Sequence, residues 1–166
     1  MRIRNQVKKK SDSGKDKLDI NEVIAEVMPL IRGEVDRYQA KLETHLDNNL
    51  PVILGDRVEL QQVLINLLMN GMEAMTTTMS GPRALTVRSQ LAKTGEVVVA
   101  VRDCGPGFPA DHMGKLFNSF FTTKPNGMGM GLPISRSIIE AHGGTLWATL
   151  NPTGGATFQF ALASAA

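Results

Sequence analysis

The stretch that most constrains the fold is Gln61–Ala74, because two residue patterns run through it at once. Leu60, Val63, Leu64, Leu67, Leu68, Gly71, Met72 and Met75 recur at three- and four-residue steps, the spacing of a helix surface that faces a core. Glu59, Gln62, Asn66, Asn70 and Glu73 recur at the same steps and line a neighbouring face of that helix. A face turned fully to water is more often built from Lys, Glu and Arg. Amides set among Leu and Met need hydrogen-bond partners, so the polar line reads as the wall of a lined pocket. The same pattern also suits an ordinary amphipathic helix whose polar side holds two asparagines. The helix alone does not choose between them.

The flanking chain supplies its packing partners. Asp19-Ile20-Asn21-Glu22 and Asp56-Arg57-Val58-Glu59 are capping boxes, each an acid at the cap with Glu three residues on. The first opens an amphipathic helix carried by Ile20, Val23, Ile24, Val27, Leu30 and Ile31, with a bend or early fraying expected at Pro29. The second opens the central helix, which should run to about Met75, before Thr76-Thr77-Thr78 and Ser80-Gly81-Pro82. Leu42, Thr44 and Leu46 alternate as a half-buried strand, and Val52-Ile53-Leu54 is a short strand closed by Gly55. Leu85–Leu91 and Val97–Arg102 form a hairpin whose second strand, apolar on both faces, belongs in the middle of a sheet.

Asp111–Phe117 suggests a short helix, and 118–130 has no usable period and is long enough for a functional lid. Leu132–His142 reads as a helix with Pro133 in its first turn and Gly143 as its stop. Leu146–Leu150 and Ala156–Leu162 close the chain as a hairpin across Asn151–Gly155. Three helices with five or six mostly antiparallel strands define an α+β, two-layer α/β sandwich. At 166 residues this is one domain, spanning 18–166, and residues 1–17 read as the end of an upstream helix and a linker.

Composition removes several classes of function. A net charge of +2 gives no strong polyanion partner, and the basic run Arg2, Arg4, Lys8, Lys9, Lys10 reads as a solvated helix end or linker, not a nucleic-acid arm. The lone Cys104 excludes an internal disulfide, agrees with a reducing, cytoplasmic setting and reads as a small side chain filling its turn. No apolar run approaches the ~20 residues of a membrane span, and no signal-peptide pattern opens the chain. His45, His112 and His142 are too scattered for a zinc site, and His142 reads as a helix-end residue favoured by the dipole.

The chemistry gathers at two glycine clusters. Gly105-Pro106-Gly107 fits a dinucleotide pattern only loosely, because Pro109 and Asp111 interrupt the helix that should follow. Gly127-Met128-Gly129-Met130-Gly131 lacks the Lys-Ser/Thr pair of a Walker loop but runs straight into the Leu132 helix, whose start can face an anion. A flexible loop without a ligand fits that cluster too. Asp103 is more pointed. A carboxylate ending a buried strand beside bare glycine backbone can accept a hydrogen bond from an exocyclic amine in a flat slot, although Asp before glycine is also ordinary turn chemistry.

In order, these segments resemble the boxes of sensor histidine kinases. Asn66-Leu67-Leu68-Met69-Asn70-Gly71-Met72-Glu73-Ala74-Met75 is similar to their N box, and Asp103-Cys104-Gly105-Pro106-Gly107 to the first glycine box. Leu116-Phe117-Asn118-Ser119-Phe120-Phe121-Thr122-Thr123-Lys124 resembles the F box, and Gly127–Leu132 the second glycine box. Glu140-Ala141-His142-Gly143-Gly144 and Gly154-Gly155-Ala156-Thr157-Phe158 fit the closing helix and hairpin. The wording is most like the nitrogen-regulation and oxygen-sensing subgroup, and the likeness covers about 18–162.

That resemblance implies a Bergerat ATP-binding fold, a mixed sheet on three helices with a mobile ATP lid. It implies Mg²⁺ and ATP as cofactors, with Asn70 on the metal, Asn66 beside it and Lys124 on the γ-phosphate as the catalytic set. Asp103 would read the adenine amine, with Gly105 and Gly107 lining the base and Thr157 supporting that end through water. Glu73, Phe121, Thr122, Thr123, Gly127, Gly129, Gly131 and Leu132 complete the implied nucleotide contacts. Gly71 departs from the more usual Ala, loosening the helix by about 1 kcal/mol.

No acceptor histidine precedes Asp19, so the chain is expected to be the catalytic part of a longer kinase. The γ-phosphate would pass to a histidine on that kinase's dimerisation domain and then to a response-regulator receiver domain. The piece itself is expected to be monomeric, the full kinase a homodimer, with or without a membrane anchor. Two other readings stay open: an ATPase of the same superfamily, and a nucleotide-binding module without transfer. In the ATPase motors a Glu stands four residues before the metal-binding Asn; here that position is Asn66.

Overall fold

The computed structural model describes residues 15–77, 83–118 and 131–165. Its elements in chain order are β1 (Asp16–Leu18), α1 (Ile20–Arg37), β2 (Lys41–Leu46), β3 (Ile53–Gly55), α2 (Arg57–Ala74), β4 (Ala84–Leu91), β5 (Val97–Arg102), α3 (Gly131–Ala141), β6 (Thr145–Leu150) and β7 (Ala156–Leu162). Five strands form one sheet in the order β2-β4-β5-β7-β6; β2 and β4 are parallel and every other pair is antiparallel. The family of architectures expected from sequence, a mixed sheet packed on helices, is the one observed.

Alternation along the strands builds one wall of the core. Leu85 and Val87 on β4, Val97, Val99 and Val101 on β5, Phe158, Phe160 and Leu162 on β7, and Leu146 and Ala148 on β6 are all buried. β5 sits third of five, as its apolar character demanded. Helix α2 packs against both α1 and α3, and its stripe Leu60, Val63, Leu64, Leu67, Leu68 and Met72 supplies the other wall. Strand β2 is an edge, and only Leu42 and Leu46 of it are half-buried.

Both capping acids do what their position predicts. The Asp19 carboxylate accepts from the Asn21 N–H at 2.9 Å, and that of Asp56 from the Glu59 N–H at 3.0 Å. The helix does not fray at Pro29: α1 runs unbroken to Arg37. Pro29 and Ala25 both lie on the exposed side, where water can take up the carbonyl that proline leaves without a donor, while Val27 and Ile31 keep the buried stripe continuous. Arg57 Nη1 and Gln61 Nε2 reach Glu26 at 2.6 and 2.8 Å and tie α1 to α2. The Arg57 hydrogen bond holds the Glu26 carboxyl below the usual carboxylate range, and Glu26 in turn raises Arg57.

Two further expectations change. Asp16 and Lys17, read as linker, are strand residues: β1 pairs antiparallel with β3 in a second, two-stranded sheet, and Ser164 bridges to Ile53. The segment read as a short helix at 111–117 is a 3-10 turn over Ala110–Lys115. The basic run at 2–10 and the lid segment at 119–130 lie outside the described residues.

Candidate functional site

Asp103 follows the last residue of β5 and is only 2% exposed. Its Oδ1 accepts from the Gly105 N–H at 2.9 Å and from the Ala156 N–H at 3.3 Å. Its own N–H donates to the Ala156 carbonyl at 3.0 Å, so the β5–β7 ladder continues one residue past the strand. The burial of a carboxylate is tolerable here because backbone donors hold it.

Three glycines let other elements close around that carboxylate. A Cβ on Gly105 would stand 2.9 Å from the Ala74 carbonyl oxygen, so this turn can pass the end of α2 only without a side chain. A Cβ on Gly71 would stand 2.7 Å from Leu85 Cδ1 and 3.5 Å from Asp103 Cβ. Gly71 therefore does more than loosen the helix: it makes room for the Leu85 side chain of β4, with Asp103 at ordinary contact distance beside it. Gly155, at φ +86°, lies directly under the Asp103 backbone, where any Cβ would overlap the Asp103 carbonyl. Gly107, at φ +77°, turns over Leu150 and Gly155.

The second cluster lies further back along α2. Asn66 accepts from Gln62 Nε2 at 3.0 Å and donates through Nδ2 to Ser135 Oγ at 3.1 Å and the Gly131 carbonyl at 3.4 Å. The amide thus draws the first turn of α3 against the middle of α2. Ser135 is completely buried, and its position within a helical run offered no sign of this contact. Asn70 and Glu73 are half-buried and continue the line from Asn66 towards Asp103. Asn66 and Gly71 are ~8 Å apart along the helix axis.

The structure places Asn66, Asn70 and Glu73 on α2, Asp103, Gly105 and Gly107 in the turn after β5, and Gly131 and Leu132 at the start of α3, and it joins Asn66 to Gly131 and Gly105 to the end of α2. It sets Thr157 apart. Phe158 points into the core with Phe117 and Phe108 around it, ring centroids at 6.3 and 6.5 Å, so Thr157 faces the other side of β7. Its Oγ1 donates to Asn151 Oδ1 at 2.5 Å. Strand alternation around Phe158 carried that signal in the sequence. Asn151, read only as a turn residue, reaches the Asp103 carbonyl at 3.2 Å and is the residue sequence reasoning missed. Cys104 is exposed and fills no space in the turn. Phe121, Thr122, Thr123, Lys124, Gly127 and Gly129 lie outside the described residues. Arg136 of α3 sets its guanidinium 5.1 Å from the Phe117 ring centroid.

A buried carboxylate at the end of the central strand, amides along the adjoining helix and a helix start beside them give this α/β sandwich one polar wall. Residues 55–166 match the family described as histidine kinase-, DNA gyrase B-, and HSP90-like ATPase. The chain belongs to that family, and its fold is that of the catalytic domain of sensor histidine kinases. It is 44% identical over 156 residues to the sensor protein FixL of Bradyrhizobium diazoefficiens, covering 94% of this chain and 30% of that protein. A solved catalytic domain of the histidine kinase ThkA superposes with a TM-score of 0.79 at 32% identity, covering 90% of this chain and 95% of that one. ThkA in complex with the response regulator TrrA gives a TM-score of 0.74 at 32% identity, over 89% of this chain and 41% of that one. The chain thus spans under a third of the length of the FixL protein it matches. No helix of the described residues is long and apolar enough to cross a membrane.

Proposed function

We propose that this chain binds Mg·ATP along α2 and passes its γ-phosphate to a histidine on a separate dimerisation domain of the same kinase. Asp103 reads the adenine amine, and Gly105 and Gly107 lie along the base. Asn70 holds Mg²⁺, with Asn66 and Glu73 beside it. Gly131 and Leu132 at the start of α3 offer N–H groups to phosphate oxygens. For Phe121, Thr122, Thr123, Lys124, Gly127 and Gly129 the resemblance alone supports a role over the phosphates. Residues before β1 link to the dimerisation hairpin. A response-regulator receiver domain takes the phosphate next, a step supported by the ThkA–TrrA complex.

The donor set fits Mg²⁺. Asn70 would bring the ion an amide oxygen from a half-buried helix face. A hard ion that keeps waters and phosphate oxygens accepts such a ligand. When bound, Mg²⁺ neutralises charge on the phosphates; the chain's own residues position and orient them.

The observation that carries transfer over hydrolysis is Asn66. Its amide accepts from Gln62 and donates to Ser135 and Gly131, and it has no basic site to take a proton from water. The test supplies γ-labelled Mg·ATP and a histidine-bearing dimerisation hairpin as a separate polypeptide. Acid-labile, base-stable label on the hairpin is expected. Release of inorganic phosphate without label would favour the ATPase reading, and binding with neither outcome would leave a nucleotide-binding module. Asn70→Ala should weaken ATP binding about tenfold or more in Mg²⁺ and little in its absence, read by calorimetry with and without chelator. Equal affinity in Mg²⁺ would unseat the metal assignment.

A further inference from the structure

Asn151 opens the turn between β6 and β7, and every polar group it carries is engaged. Its N–H donates to the Gly155 carbonyl at 2.9 Å, and its carbonyl accepts from the Gly154 N–H at 3.0 Å. These two bonds close the turn. The side chain does something else. Nδ2 donates to the Asp103 carbonyl at 3.2 Å and the Gly154 carbonyl at 3.3 Å, while Oδ1 accepts from Thr157 Oγ1 at 2.5 Å. Two carbonyls can only accept, so the amide nitrogen must face them, and the Thr157 hydroxyl then meets the oxygen. The orientation is set without ambiguity.

A turn of this kind needs its backbone pair, but not a bond to a residue 48 positions away. The reach to Asp103 serves Asp103. That residue's peptide is then held at both ends, its N–H by the Ala156 carbonyl and its carbonyl by Asn151, with Oδ1 pinned by Gly105 and Ala156. Hydrogen bonds weaken steeply as their angle departs from linear, so a carboxylate that reads one amine depends on the aim of its backbone. From Thr157 the chain of bonds runs through Asn151 to the peptide that aims the carboxylate. Thr157 lies on the far face of β7, outside the slot, and acts only through this relay.

We infer that Asn151, fixed by Thr157, is a positioning residue for the Asp103 carboxylate and sets how sharply the site separates adenine from guanine. Adenine presents an amine where guanine presents a carbonyl, so a well-aimed acceptor favours the first and repels the second. A carboxylate free to tilt loses part of both effects. The inference rests on the reading of Asp103 as the base-recognising residue.

Calorimetric titration of ATP and of GTP, both with Mg²⁺, into the 166-residue chain and its variants tests it, with thermal melts of each variant free of nucleotide. Asn151→Ala is expected to lower ATP affinity about five- to tenfold while GTP affinity holds or rises slightly. Asn151→Asp should be no better, because its carboxylate sets an acceptor against the Asp103 carbonyl. Thr157→Val should lower the ATP preference about threefold and Thr157→Ser should restore it, both at a half-buried position where the change in volume is small. Equal losses for ATP and GTP that follow the melting temperature would overturn the inference and leave Asn151 a turn residue only. Asp103→Asn separates the two layers. If it leaves the ATP-to-GTP ratio intact, base recognition by Asp103 fails. If it abolishes the ratio while Asn151→Ala keeps it, base recognition stands and the positioning role falls.

Discussion

The two ends of α2 are built from similar parts and serve different ends. At the amino end Gly55 lets Leu60 and His142 approach, and a Cβ there would stand 2.8 Å from Leu60 Cδ1 and 3.2 Å from His142 Cδ2. His142 Nε2 accepts from the Asp56 N–H at 3.0 Å and its Nδ1 faces the Ile138 carbonyl at 2.7 Å. A carbonyl can only accept, so the ring is the neutral tautomer with its hydrogen on Nδ1. His142 stands at the end of α3, as expected, and its ring also stitches that end to the start of α2. At the carboxyl end, glycines at 71, 105 and 155 again let elements close, but around a carboxylate anchored through Oδ1. Glycine beside a polar residue does not by itself mark a site. What differs is the group presented: an imidazole whose two nitrogens are consumed in joining helices, against an acid held in place by backbone donors.

The comparison breaks most visibly at Gly155. Gly155→Ala puts a Cβ onto the Asp103 backbone at a φ of +86° and should cost about 2 kcal/mol or more of stability. It should also reduce the rise in melting temperature that saturating Mg·ATP gives, because the slot itself is displaced. His142→Ala removes the acceptor for the Asp56 N–H and should cost about 1–3 kcal/mol. Its Mg·ATP-induced rise should match that of the unaltered chain. Thermal melts with and without nucleotide read both. Equal ligand-induced rises for the two variants would erase the distinction between the ends.

The same contrast explains what could be read from the sequence. Both capping boxes, the buried stripe of α2 and the central place of β5 depend on residues within one turn or one strand, and these were legible. Gly143 was legible for the same reason: at φ +77° it ends α3 with its N–H on Glu140, and Gly144 donates back to Ile139. The β1–β3 pair was not, since three residues without alternation carry no local mark of a partner 35 to 39 positions on, Leu18 with Ile53 and Asp16 with Gly55. The bonds His142–Asp56 and Asn151–Asp103 are likewise products of the tertiary fold. At the site, Asp103, Asn66 and the glycines announced themselves by type and order. The facing of Thr157 was legible too, from the alternation around Phe158.

The smallest expected effect concerns the polar links that hold the amino end of α2. Arg57 and Glu26 are 35% and 43% exposed, so their pairing contributes about 0.5 kcal/mol or less once solvent screens it. Arg57 lowers the Glu26 carboxyl in the folded chain. A group lowered on folding stabilises above its unfolded value of about 4.3, and that contribution is lost as pH falls through the folded value. Glu26→Gln should therefore lower the melting temperature slightly near neutral pH, less in high salt, and not at all once the carboxyl is protonated in both states. Gln61 and the Asp56 cap keep α2 in register in either case. Because this pair lies at the sealed end, Mg·ATP affinity should be the same in Glu26→Gln as in the unaltered chain at every pH where both are folded. A pH-dependent loss of nucleotide affinity confined to the variant would mean that the two ends of α2 are coupled through the helix.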